Sequence, residues 1–144
     1  TFTVNLETGK FSIKMNSCAA YEAIPNPSKA SLRGEATGSW DEHEGYIMTQ
    51  SSTDANEFTW EGKLVTGKGG DGKLFALCVV CKGSDNDHWC QTFGEVGQAF
   101  VPETGSLSGY LYSKAGGDVF RIQKDGTYSI VFNAATRQIS ITAK

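Results

Sequence analysis

The sequence predicts an all-β domain, a sandwich or barrel of short strands, and three observations support this prediction. Apolar and polar residues alternate with a period of two along much of the chain, which is typical of half-buried strands. The 144 residues include 17 glycines and only 20% are charged, a composition that favours turns over long charged helices. Apolar residues nowhere recur at helical spacing for long enough to predict an amphipathic helix. Many short strands separated by turns are typical of a two-layer β fold.

A β-hairpin is predicted at each end of the chain. Residues 2–6 alternate between apolar and polar side chains, and after a polar turn the chain continues as a second strand at 10–13. Near the other end, residues 128–132 alternate in the same way and continue at 137–141. Both patterns are those of two antiparallel strands joined by a short loop.

The two hairpins also resemble each other in sequence. Residues 1–13 and 129–141, laid over one another, share an asparagine, a threonine, a serine and an isoleucine. Unrelated hairpins with polar turns would also look alike, so this alternative stays open. The prediction with more consequences is that residues 1–14 are the closing hairpin of a preceding, similar module in a tandem array. Residues 1–29 would then be that hairpin plus a linker, and residues 30–144 would form the sandwich.

Further strands are predicted between the hairpins, each bounded by turn residues. They span residues 30–35, 46–50, 56–65, 73–82, 98–101, 110–113 and 118–123. Residues 16–29 contain Pro25 and Pro27, so a linker or strap is predicted there rather than a helix. The glycine-rich run 67–72 is predicted as a turn, because it lacks the Gly-Lys-Ser/Thr ending and the following helix of a phosphate-binding loop.

Charge and hydropathy narrow the classes of partner. The net charge is −3, the isoelectric point is near 5.3, and there is no basic run, so nucleic acid is not expected as a partner. The sequence has no apolar stretch of about 18 residues that would span a bilayer as a helix. The chain opens at Thr1 without an apolar signal core, and we therefore expect a mature or excised fragment.

The four cysteines, Cys18, Cys78, Cys81 and Cys90, allow a disulfide, a metal site or buried thiols. Cys78 and Cys81 lie in an apolar run that is predicted as a strand. Residues three apart on a strand point to opposite faces, so the two sulfurs would not converge on one ion. A thioredoxin-type redox role would need the pair at the start of a helix. We therefore expect buried or disulfide-paired cysteines, and no metal or other cofactor.

The sequence carries no catalytic signature, and the protein is not expected to be an enzyme. The Gly-x-Ser-x-Gly motif of serine hydrolases is absent. The two histidines, His43 and His88, lie in polar, loop-like segments and are interpreted as surface residues. The acidic turn 85–87 lacks the other ligand positions of an EF-hand loop. A pair of glycosidase carboxylates is defined by its separation in space, and nothing in the sequence points to one.

Tryptophan is the informative residue type. Trp60 alternates with Phe58 and Leu64 on one face of a predicted strand, so it is assigned to the core. Trp40 and Trp89 instead follow polar segments. An indole face stacks well on the C–H-rich face of a pyranose ring, while neighbouring polar groups bind its hydroxyls. The alternative is that each of these two tryptophans folds back to plug an end of the sandwich.

Six segments, taken in order, carry a resemblance to a known family. They are SLRGEATGSWD at 31–41, YIMTQ at 46–50, FTWEGKL at 58–64, KLFAL at 73–77, DHW at 87–89, and GTYSIVFN at 126–133 followed by ISI at 139–141. Together they resemble the starch-binding modules of the SusE/SusF outer-membrane lipoproteins of Bacteroidetes, over about residues 30–143. The cysteines and an insertion at 93–112 depart from the family pattern.

The resemblance implies an immunoglobulin-like β-sandwich that binds starch or another α-glucan without cleaving it. It also implies a surface-exposed position at the outer membrane, with a SusC/SusD-type importer as partner and membrane attachment only through a lipid anchor outside this chain. The alternative is a structural or adhesive immunoglobulin-like module that binds no glycan.

The resemblance also implies site residues. In such modules the tryptophan of the Gly-x-Trp-Asp-like loop and the one after a later Asp-rich turn line the site, which selects Trp40, Trp89 and, within that turn, Asp87. A basic residue on the strand between them often binds the sugar, and Lys73 is the nearest. Lys-Leu-Phe stands where the family often has Phe-Lys-Phe, a shift of one position, so Lys82 is the alternative.

Overall fold

The computed structural model describes residues 2–5, 10–13, 23–66, 73–83, 87–92, 99–113 and 119–144. These residues form twelve strands and two short 3-10 turns. Most of the strands lie in two packed sheets, which confirms the predicted all-β sandwich.

The strands follow one another closely along the chain. They are β1 (Phe2–Asn5), β2 (Lys10–Ile13), β3 (Pro27–Gly34), β4 (Thr49–Gln50), β5 (Glu57–Leu64), β6 (Leu74–Cys81), β7 (Asp87–Thr92), β8 (Ala99–Val101), β9 (Gly105–Ser113), β10 (Phe120–Ile122), β11 (Gly126–Asn133) and β12 (Gln138–Ala143). The 3-10 turns span Glu35–Thr37 and Glu44–Tyr46, between β3 and β4.

The two sheets share strand β9. The first sheet has the order β4-β5-β11-β12-β9, and in the second β3 and β7 flank β6. Strand β9 pairs with β12 through its first half and with β7 through its last residues, so it continues from one sheet into the other. Beside β7, strand β10 pairs with the start of β6 and, in parallel, with β8.

The opposite edge of the sandwich is closed by the segment 47–50. The Met48 amide donates to the Ala30 carbonyl of β3 at 2.8 Å, and two residues later Gln50 pairs with Phe58 of β5. One short segment thus pairs with both sheets in turn. Unpaired edge strands promote association between molecules, and closing both edges removes most of that exposed backbone.

The hydrophobic core lies between the sheets. Strands β5 and β11 show the predicted alternation, with Phe58 and Phe132 fully buried and Val131 exposed on the outer face. Trp60 is also part of the core, and its Nε1 donates to the Gly45 carbonyl at 3.0 Å. The assignment of Trp60 to the fold is confirmed. Burying each such large side chain stabilises the fold by roughly 1.5–3 kcal/mol.

The sandwich includes residues on the N-terminal side of the predicted boundary at residue 30. Strand β3 begins at Pro27, and Ile24 is buried in the core with its amide donating to the Ala134 carbonyl at 3.0 Å. Proline is tolerated as the first residue of a strand because it needs no ladder donor there. Residues 24–29 are therefore part of the sandwich.

Strand β7 was not predicted, and the interpretation of His88 as a loop residue is wrong. The segment Asp87–Thr92 pairs with β6 on one side and with β9 on the other. The two neighbouring strands supply backbone hydrogen-bond partners to both edges of this polar segment. The local sequence does not reveal these neighbours. Strand β9 likewise begins at Gly105, well before the predicted 110, and the predicted strand at 46–50 is reduced to Thr49–Gln50.

The hairpin of β1 and β2 forms a sheet of its own and repeats the register of β11 and β12. Phe2 pairs with Ile13 and Asn5 with Lys10, as Ile130 pairs with Ile141 and Asn133 with Gln138. Each pair in the second hairpin lies 128 positions after its equivalent in the first.

Two of the shared residues, the asparagine and the threonine, lie in the turn of the second hairpin. Asn133 Oδ1 accepts from the amide of Thr136 at 3.0 Å, and Arg137 has a left-handed φ of 59°. The sequence places an asparagine, a threonine and a glycine at the three equivalent positions, 5, 8 and 9. Glycine is the residue best suited to positive φ. This agrees with the predicted relationship between the hairpins, and the existence of a preceding module stays a prediction.

Removing residues 1–22 is expected to leave the stability of the sandwich unchanged. The core begins at Ile24, and β1 and β2 pair only with each other among the described strands. An isolated two-stranded hairpin is at best marginally stable in water. Thermal unfolding of residues 23–144 should give a melting temperature within about 2 °C of that of the full chain. A decrease of less than about 0.5 kcal/mol in the free energy of unfolding causes a shift no larger than this. A drop of 10 °C would show that the hairpin packs on this sandwich.

Candidate functional site

A cleft opens at one end of the sandwich, beside the loop that follows β3. Its volume is about 440 Å³, and we call it the Trp40 cleft. The described residues that line it are Gly34, Glu35, Gly38, Ser39, Trp40, Val65 and Thr66. One wall is therefore the loop after β3, and the other is the segment that follows β5.

Gly34, the last residue of β3, anchors the first wall against β6. A Cβ atom at this position would lie 2.4 Å from the Leu74 carbonyl oxygen and 2.6 Å from the Phe75 Cα. The φ of Gly34 is also positive, at 149°. Only glycine allows the chain to turn this close to the neighbouring backbone, so the start of the cleft loop is fixed by packing.

Hydrogen bonds within the loop hold it in a compact shape. Gly38 adopts a left-handed conformation, and its amide donates to the Glu35 carbonyl at 3.1 Å. The Gly34 amide donates to the Ser39 carbonyl at 2.6 Å. The buried Thr37 hydroxyl lies 2.9 Å from the Gly34 carbonyl and 3.0 Å from that of Ser39. Trp40 is thus presented by a loop whose backbone groups are largely satisfied.

Trp40 itself projects from this loop with 44% of its surface exposed. Contacts after it fix the chain on the other side as well. The Asp41 amide donates to Ser39 Oγ at 2.9 Å, and Glu42 pairs with Lys29 at 2.6 Å and with the Arg33 guanidinium at 3.6 Å. The chain is therefore held on both sides of Trp40, and the exposed indole does not plug the end of the sandwich.

The second wall is tied to the first. The Val65 amide donates to the Ala36 carbonyl at 3.1 Å, and the Val65 side chain is 40% exposed. The Thr66 amide donates to Asp125 Oδ1 at 2.8 Å. The cleft is consequently bounded by braced backbone on both sides, with an exposed valine on one wall and an exposed indole on the other.

The polar side chains among the described residues that line the cleft are those of Glu35, Ser39 and Thr66. Glu35 Oε2 is buried and has no hydrogen-bond partner among the described residues. Ser39 Oγ accepts from the Asp41 amide, which leaves its hydroxyl hydrogen available to donate. An acceptor and a donor therefore lie on the same loop as the exposed indole.

Comparison with protein-family models, curated proteins and solved structures finds no match for this chain. The resemblance to SusE/SusF modules thus depends on the quoted segments alone. Among the described residues, no helix has the length and apolar character needed to cross a membrane. In the same part of the chain, no three His, Cys, Asp or Glu side chains are grouped closely enough to hold a metal ion.

The five predicted site residues do not all lie at the Trp40 end of the sandwich. Lys73 does, because it precedes β6 by one residue and Gly34 pairs with Phe75. Lys82 is exposed at the other end of β6, where its amide donates to the Asn26 carbonyl at 2.8 Å. Nine residues of extended chain separate the two lysines by roughly 30 Å, so a single sugar ring contacts one of them at most.

Asp87 and Trp89 lie on β7. Asp87 pairs with Val80, near the Lys82 end of β6, and Trp89 pairs with Cys78, midway along that strand. Their side chains and that of Cys90 lie outside the described part of the structure, as does the whole of Cys18. The described structure thus groups Trp40 with Lys73 and places the backbone of Asp87 closer to Lys82.

Sequence reasoning missed Glu35 and the wall formed by Val65 and Thr66. Glu35 was part of a segment that resembles the family, but it was not chosen as a site residue. Its carboxylate stands out only because one oxygen is buried, which the sequence does not show. Val65 was expected to end a strand, and the structure shows it exposed on the cleft wall, with its amide bonded to the loop that carries Trp40. The only sequence signal was the position of Val65 directly before the glycine-rich run 67–72.

Cys81 is a free, buried thiol, and the Cys78 side chain is buried as well. Cys81 belongs to the core between the sheets, whereas Cys78 is buried outside that cluster, as expected for residues three apart on a strand. Burial raises the pKa of the Cys81 thiol, and the positive charge of Arg137 opposes this shift only in part. A thiol held protonated in the core lacks the thiolate character that redox and metal chemistry require.

Proposed function

We propose that this protein is a non-catalytic glycan-binding module and that the Trp40 cleft holds the sugar. The single observation that carries the proposal is the exposed Trp40 indole on the wall of an open cleft, presented by a loop fixed from both sides. A cleft of about 440 Å³ lies within the range of roughly 300–1,000 Å³ that is typical of small-ligand sites.

The physical basis is the fit between a rigid aromatic face and a sugar ring. Stacking buries the ring's C–H face on the indole, and little backbone has to be ordered on binding because the loop that carries Trp40 is already hydrogen-bonded. Val65 supplies a second apolar surface across the cleft. The alternative of a purely structural module leaves the exposed indole without a role.

The finer parts of the proposal depend on the resemblance to SusE/SusF modules. They are starch or another α-glucan as ligand, a surface-exposed position at the outer membrane through a lipid anchor outside this chain, and a SusC/SusD-type importer as partner. Lys73 and Trp89 are proposed as further sugar contacts. Asp87 and Lys82 would contact only a chain long enough to extend toward the other end of β6.

Affinity electrophoresis in native gels tests the proposal directly. Gels containing amylopectin, levan, xyloglucan or mannan should retard the protein in at least one case, with amylopectin expected first. A non-binding protein of similar size and charge provides the reference mobility. Unretarded migration in every gel would refute glycan binding and leave the structural or adhesive module as the explanation.

A further inference from the structure

The Glu35 side chain has hydrogen-bonding capacity that the described residues do not use. It is the first residue of the 3-10 turn after β3 and one of the residues that line the Trp40 cleft. Its backbone carbonyl accepts from Gly38, but its buried Oε2 has no partner among the described residues. Other carboxylates near this end are engaged, since Glu42 pairs with Lys29 and Asp125 accepts from Thr66.

An unpaired, buried carboxylate oxygen is unfavourable for the fold. Buried polar atoms in native proteins are almost always hydrogen-bonded, so each exception calls for an explanation. Groups that destabilise the unbound protein are retained most often where binding uses them. The position of Glu35, five residues before Trp40 on the wall of the same cleft, provides that explanation.

We propose that Glu35 determines which glycans the cleft accepts, by accepting hydrogen bonds from the hydroxyls of an uncharged sugar and repelling an anionic one. This inference rests on the proposed function and narrows its ligand class to neutral glycans. Glu35 is the only charged residue among the described residues that line the cleft. That set contains no cation to compensate its charge toward a ligand carboxylate or sulfate, and Lys73, at the same end of the sandwich, does not belong to it.

The groups around Glu35 match a neutral sugar ring. The Ser39 hydroxyl can donate to one ring hydroxyl while the Glu35 carboxylate accepts from another, and ring hydroxyls both donate and accept. Oε2 is buried, so the contact requires the Glu35 side chain to rotate toward the cleft. That rotation breaks no hydrogen bond to a described residue.

The test compares one glycan in two charge states. The neutral glycan that retards the protein most is paired with its carboxymethylated derivative, and Kd is measured for both by isothermal titration calorimetry. Wild type should bind the neutral form at least about tenfold more tightly than the carboxymethylated form. A difference of this size corresponds to the loss of one hydrogen bond to a charged group. Glu35→Gln should weaken binding of the neutral form and reduce the ratio of the two Kd values toward one.

Glu57→Gln is the matched control. Glu57 is also partly buried, and it lies at the opposite end of β5, where it pairs with Asn133. Glu57→Gln removes the same charge as Glu35→Gln, and it should leave both Kd values and their ratio unchanged. An equal change in both variants would mean that net charge, and not Glu35, discriminates between the glycans.

Stability gives a readout that is independent of any ligand. Because Oε2 of Glu35 is buried and unpaired, Glu35→Gln should leave the melting temperature unchanged or raise it. A lower melting temperature would show that Glu35 serves the fold and would overturn the inference. The inference is also overturned if Glu35→Gln discriminates between the two glycans as wild type does. If Trp40→Ala abolishes binding at the same time, the proposed function stands. Failure of wild type to bind any glycan overturns both.

Discussion

Trp40→Ala is expected to abolish retardation in glycan gels while leaving the fold intact. Among the described residues that line the cleft, the indole is the largest apolar side chain, and its removal leaves Val65 as the only exposed apolar one. Truncating an aromatic hot spot commonly costs 2 kcal/mol or more, which is a loss of about 30-fold in affinity. Trp40 is 44% exposed, so the free energy of unfolding should change by about 0.5 kcal/mol or less.

The matched control for this prediction is Tyr110→Ala. Tyr110 is 46% exposed, but it pairs with Gln138 on β9 and β12, at the end of the strands away from the Trp40 cleft. Removing an equally exposed aromatic side chain there should leave mobility in glycan gels unchanged. If Tyr110→Ala abolished binding and Trp40→Ala did not, the sugar would bind on the face of the first sheet and the proposed site would be wrong.

The fold class was predictable because strand alternation is a local property. Phe58 and Trp60 on β5, and Phe132 on β11, lie on the buried face that the period of two indicates. Strand β7 was missed because its stability comes from neighbours on both edges and not from its own composition. The closure of both edges, by β9 and by the segment 47–50, depends on contacts between distant residues and has no local signal.

The site was predictable only in part, for a similar reason. An exposed tryptophan among polar residues is a local signal, and Trp40 is exposed beside a cleft as expected. The choice between Lys73 and Lys82 required the register of β3 with β6, which places Lys73 at the cleft end. The unpaired oxygen of Glu35 appears only when every neighbouring donor has been located.

Gly34→Ala is expected to cause the largest loss of stability of any substitution near the cleft. The added Cβ would lie 2.4 Å from the Leu74 carbonyl oxygen, and both this atom and the Phe75 Cα belong to the backbone of the central strand β6. Backbone atoms cannot rotate away as a side chain would. The φ of 149° adds conformational strain for any residue with a side chain. Together these effects should lower the free energy of unfolding by about 2–5 kcal/mol, measured by urea denaturation.

Gly105→Ala separates the two contributions. Gly105 also has a positive φ, of 85°, but a Cβ there would meet no atom within 4 Å. Gly105→Ala should therefore lower the free energy of unfolding by only about 1 kcal/mol, from backbone strain alone. Equal losses in the two variants would show that strain dominates and that β3 is not held tightly against β6. A much larger loss for Gly34→Ala would show that this close approach fixes the start of the loop that carries Glu35 and Trp40, so that the packing of β6 determines the shape of the cleft.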